Sequence, residues 1–205
     1  MAVIRGLILD FGEVLVRPQP AAIVAEMAGL AGLQIDAFHR RYWQHRPFYD
    51  GGAPADDYWL RVLADPSSTA SATTLAALKD ADARSWTDYR EELWTLTAEY
   101  RARGGRTAFL SNGVPEVMTR VRAQRRLDDY FDVVLVSYEV GFTKPDPRIY
   151  ELCLSRLGVP AEAALFVDDR VDNVEAARRL GMQIVLFGGD GNVRDIRSAL
   201  TSRSA

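Results

Sequence analysis

The sequence predicts an α/β fold in which a doubly wound parallel sheet carries a helical domain inserted after its first strand. Three observations point to this fold. Short apolar runs alternate with stretches of helical periodicity, which is typical of βαβ units. Several of these runs end in polar residues. The block that follows the first run, residues 18–103, has helical periodicity and no convincing strand pattern.

The first predicted strand is the mostly apolar run at residues 3–9, which is followed by Asp10 and by a turn at Gly12. A short apolar run bounded by a turn signal fits a buried central strand. Asp10 then lies at the carboxyl end of the strand, the edge where open α/β sheets bind ligands. A carboxylate there can be a nucleophile, a metal ligand or both, although Asp is also common in turns without any chemical role.

The block that follows is predicted to be a helical cap domain at residues 18–103, joined at both ends to a core domain of residues 1–17 and 104–205. Residues 65–69 are a loop by composition, and all four Trp residues lie in this block. Apolar residues share helical faces in four places: Ile23, Met27 and Leu30; Ile35, Phe38 and Tyr42; Trp59, Val62 and Leu63; and Trp86, Tyr89, Leu93, Leu96 and Tyr100.

The rest of the chain alternates strands with helices. Four further strands are predicted at residues 106–110, 133–136, 164–167 and 183–187. The helices between them have recognisable ends, since proline is common at a first helical position, Asp at an N-cap and Gly after the last turn. The residues that carry these signals are Pro115, Asp146, Pro147 and Gly181, and a last helix is indicated by Val193, Ile196 and Leu200.

Composition limits the classes of function. The net charge of −3 gives no basic footprint, so we expect no nucleic-acid partner. The single Cys153 cannot form an internal disulfide, which fits a reducing cytoplasm. No apolar run approaches transmembrane length and no cleavable leader is evident, so we expect a cytoplasmic protein without a membrane partner. Its oligomeric state stays open between monomer and homodimer.

Polar groups follow four of the predicted strands or their loops. Because parallel strands place their carboxyl ends on one side of the sheet, these groups should converge. The carboxylates make an oxygen-rich site suited to Mg²⁺, while a helix N-terminus and a lysine suit a phosphoryl group. The residues are Asp10 after the first strand, Ser111, Asn112 and Gly113 after the second, Lys144 after the third, and Asp168 and Asp169 after the fourth.

Each of these signals alone is more often structural than chemical. A Ser-Asn-Gly segment after a strand is usually a turn, the segment around Lys144 is also a capped helix start, and Asp168 and Asp169 also suit a helix cap. Their occurrence together, each at a strand end, favours the chemical interpretation. The combined site would position a phosphate against a carboxylate nucleophile while a metal offsets the charge.

These motifs resemble those of the haloacid dehalogenase (HAD) superfamily. The first motif is similar to residues 10–14, the second to residues 111–113, the third to residues 141–147 and the fourth to residues 167–173. The resemblance covers essentially the whole chain and implies a Rossmann-like core with a helical cap inserted after the first strand. The nearest subgroup resembles bacterial sugar-phosphate phosphatases and the phosphatase domain of soluble epoxide hydrolases.

The resemblance also implies roles for individual residues. Asp10 is expected to be the nucleophile and a Mg²⁺ ligand, with further metal ligands in the Gly12 carbonyl and in Asp169. Asp168 is expected to support the metal or bind it through water, and Lys144 to orient the phosphoryl group and Asp10. The remaining expected roles are phosphoryl binding by Ser111, Asn112 and the N–H groups near Gly113, and support of the fourth motif by Asn173.

One position departs from the pattern of the family. Most of its phosphatases have an Asp two residues after the nucleophile, whose carboxyl acts as general acid and base, and here that residue is Gly12. The backbone carbonyl remains available, but the carboxyl is missing. Glu13 is adjacent and is a candidate catalytic replacement, although a solvated loop residue is the simpler interpretation.

The sequence therefore predicts a Mg²⁺-dependent phosphatase that acts on a small phosphorylated metabolite, such as a sugar phosphate, through an aspartyl-phosphate intermediate. Trp43 and Tyr49 of the cap are candidate substrate contacts, although cap aromatics are more often core residues. Three alternatives stay open. They are a catalytically weak or retired binding or regulatory protein, a 2-haloacid dehalogenase, against which Asp168 and Asp169 argue, and a phosphomutase.

Overall fold

The computed structural model of the chain describes residues 3–63, 71–189 and 192–201, so the predicted loop at residues 65–69 lies outside the described residues. Strands and helices alternate along these ranges after an initial helical block. The strands are β1 (Gly6–Leu9), β2 (Arg106–Ser111), β3 (Val133–Val136), β4 (Ala164–Asp168) and β5 (Gln183–Leu186). The helices are α1 (Ala21–Leu30), α2 (Ile35–Asp50), α3 (Ala55–Val62), α4 (Ala72–Ser85), α5 (Glu91–Ala102), α6 (Pro115–Gln124), α7 (Ser137–Val140), α8 (Pro147–Leu157), α9 (Val171–Arg179) and α10 (Val193–Thr201).

The five strands form one parallel sheet in the order β3-β2-β1-β4-β5. The chain builds outward from β1 on one side and then crosses to the other, so the predicted doubly wound fold is confirmed. Leu9 of β1 lies beside Phe109 of β2 and Val167 of β4. This register brings the residues that follow the three strands to the same edge of the sheet.

Alternation along the strands gives the sheet two apolar faces. Leu7 and Leu9 point to one face and Ile8 to the other, and all three are fully buried. Side chains of α5, α6 and α10 cover the first face, and side chains of α8 and α9, including Cys153, cover the second. Burial of each large aliphatic side chain contributes roughly 1.5–3 kcal/mol, so this double cover fixes where the strand ends lie.

The helices α1 to α4 form an insert between β1 and β2, in the part of the chain where the sequence predicts a helical block. The chain enters and leaves the insert through two adjacent segments. Val16 forms an antiparallel bridge with Tyr89, and the N–H of Arg17 donates to the carbonyl of Asp88 at 2.7 Å. The two connections are thus held side by side.

Helix α5 packs against the sheet and not within the insert. The indole Nε1 of Trp94 donates to the carbonyl of Leu15 at 3.0 Å, and the hydroxyl of Tyr100 donates to the carbonyl of Ile4 at 3.1 Å. Both acceptors flank β1. The predicted cap boundary at residue 103 includes this helix, and we propose that the cap instead ends near Tyr89.

No single helix among the described residues is long and apolar enough to cross a membrane. Helices α1 and α2 reach that length and composition only when they are taken together, and a bend of 88° separates them.

Candidate active site

Asp10 and Lys144 are the centre of the site at the carboxyl edge of the sheet. Asp10 directly follows β1, and its N–H donates to the carbonyl of Val167 at 2.9 Å, which fixes its backbone beside β4. The Nζ of Lys144 lies 2.7 Å from Oδ1 of Asp10 and 2.7 Å from Oδ2 of Asp168. All three side chains are buried, so the ammonium holds two carboxylates in fixed orientations.

Asn112 positions the loop that carries Lys144. Its side-chain Nδ2 donates to the carbonyl of Lys144 at 2.9 Å, and its Oδ1 accepts from the N–H of Lys144 at 2.7 Å. Both polar atoms of the Asn112 side chain are therefore engaged with the backbone of Lys144. We therefore propose that Asn112 orients Lys144, in place of the direct phosphoryl contact expected from the sequence.

Asp168 is enclosed by donors. Its Oδ2 accepts from Lys144 Nζ, its two oxygens lie 2.9 and 3.1 Å from Asn173 Nδ2, and its Oδ1 accepts from the N–H of Arg170 at 2.9 Å. No part of Asp168 is exposed. Because its oxygens are already occupied, we propose that Asp168 positions Lys144 and that Asn173 supports it, as the sequence suggested for Asn173.

Asp169 is more open to the site than Asp168. Carboxylate oxygens of Asp10, Asp168 and Asp169 lie within 4.8 Å of one another. Burial raises the pKa of Asp169 to about 6, and the charges of Asp168 and Glu13 add to the rise. Burial likewise raises the pKa of Asp10, with Lys144 opposing and the other two carboxylates reinforcing the shift. The cluster therefore has more negative charge than Lys144 alone balances.

The excess of carboxylates over ammonium groups bears on whether these residues suit a magnesium ion. The two carboxylates also raise the pKa of Lys144, although burial alone would lower it, so the ammonium stays charged and only one charge is offset. Hard oxygen donors with a surplus of negative charge are what Mg²⁺ requires. The site fits the ion, with Asp10 and Asp169 as the carboxylates whose oxygens are least occupied.

Between Asp10 and Val14 the residue with positive φ is Glu13 and not the glycine beside it. Gly12 has φ −61° and ψ 131°, an ordinary extended conformation, whereas Glu13 has φ 55°, in the left-handed region. A Cβ added at Gly12 would meet the ring of Trp86 at 3.6 Å, which is normal contact. The absence of a side chain at Gly12 is therefore not required by the backbone. Glu13 itself lies near Asp169 and lines the cavity.

Ser111 and Gly113 form the second loop of the site. Ser111 ends β2 and is buried at the cavity wall. The N–H of Gly113 donates to Oγ of Ser137 at 3.1 Å, so it is not free for an anion. A Cβ at Gly113 would lie 2.9 Å from Cγ1 of Val136, which explains the glycine. Ser137 gave no signal in the sequence.

A cavity of about 240 Å³ opens between this edge of the sheet and the insert. Of the two candidate substrate contacts, Trp43 lines it and Tyr49 does not. Tyr49 is buried, stacks on Tyr58 with ring centroids 4.6 Å apart, and donates its hydroxyl to Glu116 of α6. Because its side of α2 faces core residues, we propose that Tyr49 does not contact the substrate. Three further residues of the insert line the cavity: Arg46, Asp50 and Trp86.

Known proteins resemble this chain both in sequence and in structure. The sequence profile of haloacid dehalogenase-like hydrolases matches residues 4–181. A phosphoserine phosphatase from Thermus thermophilus is 40% identical over 95 residues, which cover 46% of this chain and 38% of that protein. An (S)-2-haloacid dehalogenase from a Pseudomonas species is 37% identical over 95 residues, covering 46% of this chain and 41% of that protein. The matches thus span less than half the length of these relatives.

Solved structures resemble the whole chain. A HAD family enzyme from Bacteroides thetaiotaomicron, crystallised in complex with magnesium and inorganic phosphate, matches with a TM-score of 0.68 and 20% identity. The match covers 91% of this chain and 96% of that one. At this level of identity the likeness establishes a shared fold.

Proposed function

Because this chain belongs to the haloacid dehalogenase-like hydrolase family, we propose that it is a Mg²⁺-dependent phosphatase of a small phosphorylated metabolite, with Asp10 as the nucleophile. The observation that carries the proposal is the buried cluster in which Lys144 bridges Asp10 and Asp168 while Asp169 stays open to the cavity. The similarity to a phosphoserine phosphatase and the fold shared with an enzyme that binds magnesium and phosphate support it.

Asp10 would attack the phosphorus atom of a monoester. The bond between phosphorus and the leaving oxygen breaks as a bond to an Asp10 oxygen forms, and water then hydrolyses the aspartyl phosphate. Lys144 holds Oδ1 of Asp10 at 2.7 Å, which aims the other oxygen and offsets charge on the transferring group. Ser111, at the cavity wall, is placed to donate to a phosphoryl oxygen.

A magnesium ion would be held by Asp10, Asp169 and the backbone carbonyl of Gly12. When bound, it supplies charge neutralisation for an anionic nucleophile approaching an anionic phosphate. The chain's own part is to keep these oxygens convergent and to hold Asp168 on Lys144, away from the substrate. Hard oxygen ligands and few protein groups are typical of magnesium sites of this kind.

The alternative within the family is a dehalogenase, which one relative represents. Such an enzyme attacks carbon and needs no metal. A retired binding protein is the other alternative, but it would not need the buried Asp10–Lys144 pair, whose assembly costs desolvation energy. The charge surplus at Asp169 favours the phosphatase over both.

The test is a panel of phosphorylated metabolites and 2-haloacids with Mg²⁺, with EDTA, and with the variant Asp10→Asn. We expect phosphate release that EDTA abolishes and Mg²⁺ restores, and a loss of at least about 10³-fold in kcat for Asp10→Asn, because the nucleophile is removed by a nearly isosteric change. Circular dichroism controls for folding and mass spectrometry for deamidation. Halide release without phosphate release, or full turnover in EDTA, would contradict the proposal.

A further inference from the structure

The helical insert places one carboxyl group in the active-site cavity. Four of its residues line that cavity, namely Trp43, Arg46, Asp50 and Trp86, and Asp50 is the acidic one. Asp50 is the last residue of α2, and its carbonyl accepts a hydrogen bond from Oγ of Ser137 at 2.6 Å. Ser137 also accepts from the N–H of Gly113, so Asp50 is anchored to the loop that follows β2.

Asp50 has one oxygen engaged and one oxygen available. Its Oδ1 accepts from Nε of Arg46 at 2.8 Å, one helical turn away. Its Oδ2 accepts no hydrogen bond from any residue that the structure describes. The side chain of Asp50 is 12% exposed. Because Asp50 lines the cavity, the available oxygen is the part of it that a bound molecule can reach.

Arg46 is shared between two buried carboxylates, those of Asp50 and Asp82, and the second lies 3.3 Å from Arg46 Nη1. One guanidinium balances only one of these charges. Asp82 has three further side-chain donors. They are the hydroxyl of Tyr42 at 2.6 Å, the indole of Trp86 at 3.2 Å and the amide of Gln19 at 3.5 Å.

Asp50 has fewer side-chain donors than Asp82. Its only side-chain donor among the described residues is Arg46. Burial raises the pKa of Asp50, Arg46 opposes the shift, Asp82 adds to it, and Lys144 at the catalytic end of the cavity also opposes it. A carboxyl with a raised pKa, one free oxygen and access to the cavity has the properties of a general acid.

We propose that Asp50 contacts the leaving-group oxygen and exchanges with it the proton that Gly12 has no side chain to supply. This role rests on the phosphatase activity proposed above. As the ester bond to phosphorus breaks and the bond to Asp10 forms, the proton of Asp50 passes to the departing oxygen, which leaves as an alcohol. Water then attacks phosphorus and gives its proton to Asp50, the bond to Asp10 breaks, and inorganic phosphate leaves with the enzyme restored.

The role predicts a dependence on the leaving group. An alkyl phosphate loses a strongly basic alkoxide, which needs protonation, whereas p-nitrophenyl phosphate loses a stable phenolate. The measured quantity is kcat/KM. It reports only the steps up to and including departure of the leaving group, so it does not depend on the later hydrolysis of the aspartyl phosphate. The variant Asp50→Asn keeps an oxygen to accept from Arg46 and so retains the structural contact.

We expect Asp50→Asn to lower kcat/KM for glycerol 2-phosphate by about 10²–10⁴-fold and for p-nitrophenyl phosphate by less than about threefold. The control is Asp57→Asn, the same change at an exposed position of α3, which should leave the ratio of the two values unchanged. A selective loss confined to Asp50→Asn supports the proposal.

Three results would overturn it. Equal losses on both esters would make Asp50 a structural residue, and a selective loss in Glu13→Gln with none in Asp50→Asn would assign the proton to Glu13. A wild-type enzyme that is already as selective for the aryl ester as Asp50→Asn would have no proton donor. If the wild type releases phosphate from neither ester, the proposed phosphatase function itself fails. The three results above contradict only the role of Asp50 and leave the phosphatase function standing.

Discussion

At the scale of single residues, Glu13 is the strained position of the active-site loop. It is the non-glycine residue with positive φ among the described residues, and it precedes fully buried Val14. The left-handed conformation costs a residue with a Cβ roughly 1–2 kcal/mol, and more if the residue is β-branched. This strain lies between the nucleophile and the core, where it sets the direction of the Gly12 carbonyl.

We therefore expect the free energy of unfolding of Glu13→Gly to be equal to or greater than that of wild type. We expect the free energy of unfolding of Glu13→Val to be lower than that of wild type. Glycine relieves the strain but has more backbone entropy when unfolded, so the gain is at most about 1 kcal/mol. Valine should cost more than about 1 kcal/mol. Urea unfolding of the three proteins gives the order directly. A valine variant as stable as the glycine variant would show that the loop is not held in this conformation.

The residues of the catalytic cluster could be predicted because each follows an apolar run, and the sheet alone brings such positions together. Arg46 and Asp50 could not. Helical spacing shows that they share a side of α2, but not that this side meets the strand ends. Tyr49 illustrates the same limit, since one residue of rotation along a helix separates a cavity wall from the core.

At the scale of elements, Tyr49 connects the insert to the sheet domain. Its hydroxyl donates to Glu116 of α6, next to the ion pair between Asp80 of α4 and Arg120 of α6. Tyr49→Phe should therefore leave KM within about twofold, since it removes a contact outside the cavity. Trp43→Ala, within the cavity, should raise KM or lower kcat/KM by about tenfold or more. Steady-state kinetics on the best substrate measures both effects. A change in KM of more than about twofold for Tyr49→Phe would show that Tyr49 contributes to substrate binding.

Asp132 connects β2 to the loop before β3. Its Oδ2 accepts from the N–H of Thr107 at 2.9 Å, and Arg101 and Arg106 lie close to its Oδ1. Burial alone would raise the pKa of Asp132, but the hydrogen bond from Thr107 and the two arginines lower it overall. A carboxyl whose pKa is lower when folded stabilises the protein above its unfolded pKa, and this contribution is lost as pH falls through the folded pKa.

The difference in free energy of unfolding between wild type and Asp132→Asn should thus be largest near pH 7 and shrink as the pH falls from about 5 to below 3. Denaturant titrations across this range measure it, with Asp57→Asn as the exposed control. A difference that stays constant or grows on acidification would show that the Asp132 charge does not stabilise the fold.

The elements themselves were largely predictable, because strands in a sheet covered on both faces read as apolar runs. The main difference concerns α5. A single helical pattern from Trp86 to Tyr100 was assigned to the cap, whereas α4 ends at Ser85 and α5 begins at Glu91. Tyr89 between them pairs with Val16 in an antiparallel bridge, a contact between distant parts of the chain that local periodicity does not encode.

At the scale of the whole molecule, the carboxylate cluster links metal binding to stability. Without a cation, Asp10, Asp168 and Asp169 repel one another within 4.8 Å. We expect Mg²⁺ to raise the melting temperature of wild type, since it binds the folded state. Asp169→Asn should raise the melting temperature of the metal-free protein by removing one repulsive charge, and abolish the Mg²⁺-dependent increase. Thermal unfolding with EDTA, Mg²⁺ and Na⁺ as an ionic-strength control measures both effects. An undiminished Mg²⁺ response in the variant would place the metal elsewhere.

The pairing of Val16 with Tyr89 has a consequence for replacing the helical insert by another segment. The two ends of the insert lie side by side and are joined by backbone hydrogen bonds. The segment from α1 to α4 is therefore a single long loop of the sheet domain, closed where it leaves that domain. The entropic cost of closing a loop changes only slowly with its length. A short turn joining these two points, or a foreign helical module grafted onto them, leaves the register of β1 and β2 untouched. A grafted module would replace the wall of the cavity that faces the strand ends, so under the role proposed for Asp50 it would have to bring a proton donor of its own.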